Sequence, residues 1–281
     1  MFDPKCNKYP YPEDTAAHYI KIKKQKDIKF DDKYPYIDTR KGFKFKQWLV
    51  RVVLRLIVFP MSRIRLGLRI EGRKNIKLYK DVLKNGVISC CNHVHFWDYI
   101  SILDGIRSYK PYYLVWDKNV RGESGTLVRL TGGIPIPDNI KGEKVFLKTI
   151  KNHLENGGWL HIYPEGSMWE YYMPIRPFKK GASYFACKYN KPILPLVYSY
   201  RKPNWIRRKI FKQIACFTLH IGTPLYKDES LPNKEQEQEL TKRLHDTMCI
   251  MAGIKPEENL YDSIYNNSKR IDYYTTEYGR K

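Results

Sequence analysis

The amino-acid chain changes rhythm at about Val82. Beyond it, short apolar runs alternate with stretches whose apolar positions return every three or four residues, the marks of strands and of one-sided helices. The runs GVISCCN (86–92), YYLVW (112–116), GGIPI (132–136), GWLHIYP (158–164), PILPLVYSY (192–200) and CFTLHIG (216–222) predict strands, and 97–107, 143–156, 180–190 and 234–252 predict helices. This alternation predicts an α/β fold, a mostly parallel central sheet flanked by helices, in which ligands gather at the carboxyl ends of the strands.

The preceding segment, KFKQWLVRVVLRLIVFPMSRIRLGLR, has a different pattern. Lys44, Gln47, Arg51 and Arg55 return at helical intervals while Trp48, Leu49, Val52, Val53, Leu56, Ile57 and Phe59 cover the rest, which predicts an amphipathic helix with a narrow basic stripe. Pro60 is expected to bend or end it, and Arg63, Arg65 and Arg69 carry the charge into a second short piece. Two arrangements fit: a helix lying in a membrane interface, and a core helix whose arginines reach water. Residues 1–41, rich in Lys, Tyr, Asp and Pro without a period, are expected to form an irregular arm, and the polar stretch 255–281 an irregular tail. The chain thus divides into an arm (1–41), an amphipathic helical segment (42–70), an α/β domain (71–254) and a tail (255–281).

Charge sharpens the reading of that helix. In 281 residues there are 51 Lys and Arg against 29 Asp and Glu, a net charge of +22, and such a field attracts nucleic acid, an anionic membrane surface or acidic substrates. Residues 41–80 hold twelve Lys and Arg and one acid, Glu71, a surplus of +11. A basic face beside an apolar one carrying Phe43, Phe45, Trp48 and Phe59 is what interfacial membrane binding needs. Trp48, Arg51, Arg55, Arg63 and Arg65 are accordingly the expected membrane-binding residues. The most apolar stretch, 48–61, is interrupted by Arg51 and Arg55 and falls short of the ~20 residues of a bilayer crossing. The six cysteines form no CxxC pair and several lie in apolar runs, as the reduced thiols of a cytosolic protein do. The opening MFDPKCNKYPYPED has charge and proline where a secretory leader has an apolar run.

Two polar motifs fall at predicted strand ends. In NHVHFWD (92–98), His93 and Asp98 stand where a strand hands over to a helix. A neutral imidazole there can accept a proton from an attacking hydroxyl while the carboxylate holds its tautomer and stabilises the imidazolium that forms. No Ser or Cys nucleophile is then required, because the acceptor hydroxyl itself can attack a thioester. A metal site built on His93, His95 and Asp98 competes with this reading, although His18, His153, His161, His220 and His245 form no ligand-spaced cluster with them. YPEGS (163–167) places a turn directly after an apolar strand. There Glu165 is expected to bind an acceptor hydroxyl or anchor the catalytic loop, and Gly166 with Ser167 to offer backbone amides to an anion.

Taken together, the motifs resemble those of the glycerolipid acyltransferases, the 1-acylglycerol-3-phosphate or lysophospholipid acyltransferase family. That family's first motif, Asn-His, four residues, Asp, is matched by Asn92, His93 and Asp98. Its third, Phe-Pro-Glu-Gly-Thr/Ser-Arg, is matched by Tyr163, Pro164, Glu165, Gly166 and Ser167. GGIPIPD (132–138) resembles the second motif and PILPLVYS (192–199) the fourth, and order and spacing agree across about 74–224. The resemblance implies His93 as general base, Asp98 as its orienter, and Asn92, Glu165, Gly166 and Ser167 as substrate-binding residues, with His95 a loop residue beside them. It implies no cofactor or metal, only acyl-CoA or acyl-ACP as co-substrate. The chain departs from the family at two arginines implicated in holding the acceptor phosphate, since Pro137, Asp138, Met168 and Trp169 occupy those neighbourhoods. Lys141, Arg176, Lys179 and Lys180 are the nearest basic residues, and the last three are the expected phosphate ligands.

The expectation is a peripheral, monotopic O-acyltransferase at the cytoplasmic face of the cell membrane. It would move a fatty acyl chain from acyl-ACP or acyl-CoA to a lysophospholipid or lysophosphatidic acid hydroxyl in phospholipid biosynthesis. Its partners would be the membrane lipid acceptor, the anionic membrane surface and an acyl carrier protein; the basic, aromatic patch YRKPNWIRRKIFKQ (200–213) suits either of the last two. Two other readings stand beside this one. A basic nucleic-acid-binding protein has the charge but no recognised module, so nucleic acid is not the expected partner; a metal-dependent hydrolase would use His93, His95 and Asp98.

Overall fold

All six predicted apolar runs are strands, and a seventh that the pattern does not announce joins them. The strands are β1 (Arg69–Glu71), β2 (Val87–Cys90), β3 (Tyr112–Val115), β4 (Gly133–Pro135), β5 (Trp159–Ile162), β6 (Ile193–Arg201) and β7 (Cys216–Ile221). They form one sheet in the order β1-β7-β6-β2-β5-β3-β4, parallel throughout except for the antiparallel β6–β7 pair. The computed structural model describes residues 2–4, 11, 25–258, 260 and 261; most of the expected arm before residue 25, and the expected tail beyond 261, lie outside the described residues.

The central strands are apolar on both faces because helices cover both. Ile88, Cys90, Leu160, Ile193 and Val197 face one layer, where Phe146 and Ile150 of α4 (Ile140–Glu155), Phe185 of α5 (Gly181–Tyr189) and Leu240, Leu244 and Met248 of α6 (Asn233–Ala252) pack. On the opposite face Val87, Cys91, Leu194, Leu196, Phe217 and Leu219 meet Ile102 of α3 (Asp98–Gly105) and Leu66 of α2 (Phe59–Leu66). Period-two alternation along a strand buried on both sides assigns each residue to a layer without any polar position to mark it. Helix α4 starts where Asn139 accepts a hydrogen bond from the Gly142 amide at 2.8 Å, a side-chain cap on an otherwise orphaned donor. Five shorter helical turns, at Arg73–Leu78, Lys80–Leu83, Asp117–Arg121, Gly125–Leu130 and Trp205–Lys209, fill the connections.

Of the N-terminal arm, residues 25–40 have no regular structure and lie mostly exposed, anchored to the core by a few side chains. Phe30 and Tyr36 are fully buried, and the buried Arg129 guanidinium donates to the carbonyls of Pro35, Tyr36 and Gly133.

The amphipathic segment does not end at Pro60. Helix α1 (Lys41–Val53) runs into a π-helical turn (Leu54–Val58) and on into α2, which carries Pro60 in its first turn. A proline lacks the amide that a continuing helix would use, and the wide turn before it places Pro60 where that donor is dispensable. The same turn corrects phase. The buried positions step from Gln47 to Leu54 and then by five residues to Phe59, before Ser62 and Leu66 resume ordinary helical spacing.

The direction in which this helix faces differs from the core-helix arrangement. Its polar stripe points toward the protein: Gln47 is buried and donates to the Arg129 carbonyl, and Arg51 is half-buried. Arg55 donates to the Arg107 carbonyl, and Arg63 forms a two-point ion pair with Asp104 at 2.6 and 2.8 Å. Asp104 is wholly buried and takes a second arginine, Arg73, at 3.0 Å. The apolar stripe of Phe45, Trp48, Leu49, Val53, Leu56, Ile57, Met61 and Ile64 is turned outward, with Leu56 72% exposed. Arg55 and Arg63 thus dock the helix while keeping exposed side-chain surface, and Trp48 and Arg65 face out. No described helix is long and apolar enough to cross a membrane.

Asp104→Ala should loosen this docking, because it removes one buried carboxylate that two arginines share. The expected loss of stability is about 2–4 kcal/mol by chemical denaturation, with faster amide exchange concentrated in residues 54–66; unchanged exchange there would show that the helix is held by apolar packing alone.

Candidate active site

Three loops meet at the carboxyl end of β2; two are fixed by side chains that reach a neighbour's backbone and the third by its own main-chain amides. Asn92, directly after β2, accepts from the Tyr198 amide at 2.8 Å and donates to the Tyr198 carbonyl at 3.3 Å, which ties the loop to β6. Glu165, after β5, accepts from the His93 amide at 2.9 Å and from the Arg176 amide at 2.9 Å. Residues 169–171 close the third side, where the Trp169 and Tyr171 amides donate to the His93 and Val94 carbonyls at 3.0 and 2.9 Å.

Within this frame His93 Nδ1 lies 2.7 Å from Asp98 Oδ2. Asp98 is 1% exposed, and its carboxylate also accepts from the Val94 and His95 amides at 3.1 and 3.4 Å and, through Oδ1, from the Tyr163 hydroxyl at 2.7 Å. Burial works against the ionised form, but the His93 ring and the His93 and Tyr163 hydrogen bonds outweigh it and hold Asp98 below the usual carboxylate range. An ionised acceptor at Oδ2 assigns the donated proton to Nδ1, which leaves the Nε2 lone pair as the basic site. His93 Nε2 makes no hydrogen bond to a described residue, and the side chain is 25% exposed. The ring stacks on Tyr163 at 3.9 Å and 13°. A protonatable base, an ionised orienter and an open approach make this pair competent for proton abstraction from a hydroxyl.

The expected site residues divide on inspection. Asn92, His93, Asp98, Glu165, Gly166 and Ser167 converge, with Asn92, Glu165 and Ser167 buried as supports of the loops. Lys179 joins them. Gly166 has φ +80, and a methyl group there would stand 2.9 Å from the Lys179 ammonium, so the lysine side chain lies across the turn. Arg176 is corrected from a phosphate contact to an internal brace. Its side chain is 2% exposed, it pairs with Glu165 at 3.0 Å, it donates to the Ser167 hydroxyl at 2.7 Å and to the Ser167 carbonyl, and it lies over Trp169. Lys180, the N-cap residue of α5, lies close enough to Glu237 of α6 to oppose the rise that burial imposes on that carboxyl. His95 accepts from the Trp97 amide at 3.0 Å and meets the ring edges of Tyr171 and Phe217. Burial, partly opposed by Glu170, lowers its pKa, which favours a neutral ring. Among the described residues no group of three or more His, Cys, Asp or Glu is arranged to hold a metal ion.

Sequence reasoning missed the Tyr163 hydroxyl as a donor to Asp98, although the signal was present: Tyr stands where the resembling family has Phe. It also missed His161, fully buried beneath the site, whose Nδ1 lies 2.8 Å from the Ser89 hydroxyl and whose pKa burial lowers to about 3.

Residues 67–199 match the protein family described as Acyltransferase. That span contains both motifs, Asn92–Asp98 and Tyr163–Ser167, and supports the resemblance to the acyltransferases. Among solved structures it is similar to the 1-acyl-sn-glycerophosphate (LPA) acyltransferase PlsC from Thermotoga maritima, with 18% identity and a TM-score of 0.49 over 77% of this chain and 83% of that one. A comparison with curated proteins found no match.

Two measurements test the geometry. In a carboxyl-carbon NMR titration, Asp98 should protonate at higher pH in both Tyr163→Phe and His93→Ala, since each removes a contact that favours the carboxylate. The sign follows for stability: a depressed folded pKa contributes stability above the unfolded value of about 3.9, lost as pH falls through the folded pKa, so both variants should lose part of that contribution. An Asp98 titration unchanged in both would remove the assigned contacts. Arg176→Ala strands the buried Glu165 carboxylate and should cost about 3–5 kcal/mol; full stability with only a weaker acceptor KM would restore the phosphate-ligand reading.

Proposed function

We propose that this chain transfers a fatty acyl group from an acyl thioester to the hydroxyl of a lysophospholipid at a membrane surface. The observation that carries the reading is the His93–Asp98 pair, held at the carboxyl end of β2 with Nε2 uncommitted. His93 Nε2 takes the proton of the acceptor hydroxyl as its oxygen attacks the thioester carbonyl. The tetrahedral adduct then expels the thiolate, which recovers that proton from the imidazolium, so the products are an ester and a thiol. Asp98 stays ionised throughout and stabilises the transient imidazolium. The balance closes with no redox partner and no protein nucleophile.

Three features of the chain support the finer parts of the reading. The outward apolar stripe of α1 and α2 suits the interfacial region of a bilayer. Moving eight half-exposed apolar side chains out of water is worth about 1 kcal/mol each, or roughly 8 kcal/mol. Trp205, Ile206, Ile210 and Phe211 are also exposed and extend the same surface, because Arg207 and Gln213 donate to the Ile64 carbonyl at the end of α2. Lys179, beside Gly166, is the basic group best placed to meet an acceptor phosphate now that Arg176 is accounted for. Such a protein would act at the cytoplasmic face, with acyl-CoA or acyl-ACP supplying the thioester.

Purified protein should acylate lysophosphatidic acid, and parallel assays with acyl-CoA and acyl-ACP would identify the donor. His93→Ala should lower the rate by roughly two to four orders of magnitude with its circular dichroism unchanged; near-normal turnover would end the proposal. Lys179→Ala should raise acceptor KM with kcat largely kept. Activity should also survive dialysis against EDTA, since the steps above use proton transfer alone; loss restored by zinc would favour the hydrolase reading.

A further inference from the structure

A cleft of about 350 Å³ opens between α2 and the end of α3, away from the His93 loop. Arg55, Phe59, Pro60, Arg63, Asp104 and Arg107 line it. Arg73 reaches its floor, donating to Asp104 at 3.0 Å, so four guanidinium groups surround one carboxylate. Asp104 is wholly buried and engaged by Arg63 and Arg73. Arg55 is bound only to a carbonyl, which leaves its charge uncancelled, and Arg107 is exposed and donates to no described residue. Burial, joined by the like charges of Arg63 and Arg107 and opposed by Asp104, lowers the pKa of Arg73. Four guanidinium charges against one carboxylate make the cleft attractive to an anion.

The apolar surroundings say what form that anion takes. Pro60 lies on the ridge that continues through Leu56 and Ile64, residues spaced four apart and both exposed. An anion seated among the arginines would therefore have the outward apolar stripe directly beside it. The geometry points to a binding site for the phosphate headgroup of an anionic phospholipid, its acyl chains lying along Leu56, Pro60 and Ile64. This rests on the membrane-surface reading above but names a second lipid, distinct from the acceptor. Asp104 lies six positions beyond Asp98 along α3, about 9 Å of helix axis, so a phosphate seated here is set apart from an acceptor hydroxyl at His93.

The test uses the full chain and Arg107→Gln, a residue outside both the catalytic loops and the Asp104 pairs. Binding to phosphatidylcholine vesicles with and without phosphatidylglycerol should show a loss of roughly tenfold on the anionic vesicles only, the effect of one charge-assisted phosphate contact. Lys234→Gln, an exposed charge on α6, should leave both nearly unchanged. Short-chain phosphatidylglycerol kept below micelle formation should bind the wild type and not Arg107→Gln by calorimetry, while inorganic phosphate should fail to displace it. Equal anionic-vesicle binding by wild type and Arg107→Gln would overturn the site while leaving the membrane reading intact. No binding of wild type to either vesicle would instead sink the membrane reading and this site with it. Displacement of the short-chain lipid by inorganic phosphate would assign the cleft to free phosphate. Loss of acyl carrier protein binding in Arg107→Gln, with vesicle binding kept, would assign it to a protein partner.

Discussion

The Asp98 carboxylate is the point from which the site is organised. It is buried at the start of a helix and satisfied by an imidazole, a phenol and two backbone amides at once. A buried carboxylate needs that many donors, because each unpaired oxygen would cost more than an ordinary hydrogen bond returns. Satisfying it fixes the chain between His93 and Asp98 into one conformation, and with it the tautomer and orientation of the base. The Tyr163 contact has a second consequence. A phenol that donates to Asp98 draws on the same negative charge that would stabilise the imidazolium, so the carboxylate divides its stabilisation between the two rings.

A second constraint shapes the whole of one face. Helix α1–α2 turns polar groups inward and apolar groups outward, the reverse of a helix on a protein that meets water. What makes the inversion stable is that three of the polar groups have partners in the fold: Gln47 on a carbonyl, Arg55 on a carbonyl, Arg63 on Asp104. The π turn keeps both stripes in register past the point where ordinary spacing would let them drift. Contiguous exposed apolar surface of this extent marks a place where something other than water is met.

Much of this was legible in the sequence, and what was not has identifiable causes. Strand positions were readable because both faces of the sheet are apolar, which makes each run stand out; β1 was lost because three residues, Arg-Ile-Glu, carry no run. The pairing of His93 with Asp98 followed from chemistry and spacing. The direction of the amphipathic helix did not, since the spacing of apolar and polar positions shows that a helix has two unlike faces but not which of them meets the rest of the fold. Arg176 was misplaced for a related reason. Distance along the chain put it near the phosphate-binding motif, but the loop 168–175 folds back and delivers its guanidinium beneath Glu165.

The excess of basic residues explains how these arginines come to hold the fold together without losing their field. With 51 Lys and Arg against 29 Asp and Glu, there are too few carboxylates to pair every basic side chain, and several arginines bond to backbone carbonyls instead. Arg55 bonds to Arg107, Arg129 to Pro35, Tyr36 and Gly133, Arg201 to Gly67 and Phe217, and Arg207 to Ile64. A carbonyl satisfies the guanidinium's donors and fixes its position, yet cancels none of its net charge. Several of these bonds hold the ends of α2 and β7 in place, so the groups that brace the outward-facing helix are also the ones that keep the surrounding potential positive. Replacing such carbonyl contacts by ion pairs would preserve the bracing and remove the attraction for anions, and that is the physical distinction between a surplus of arginine and a surplus of salt bridges.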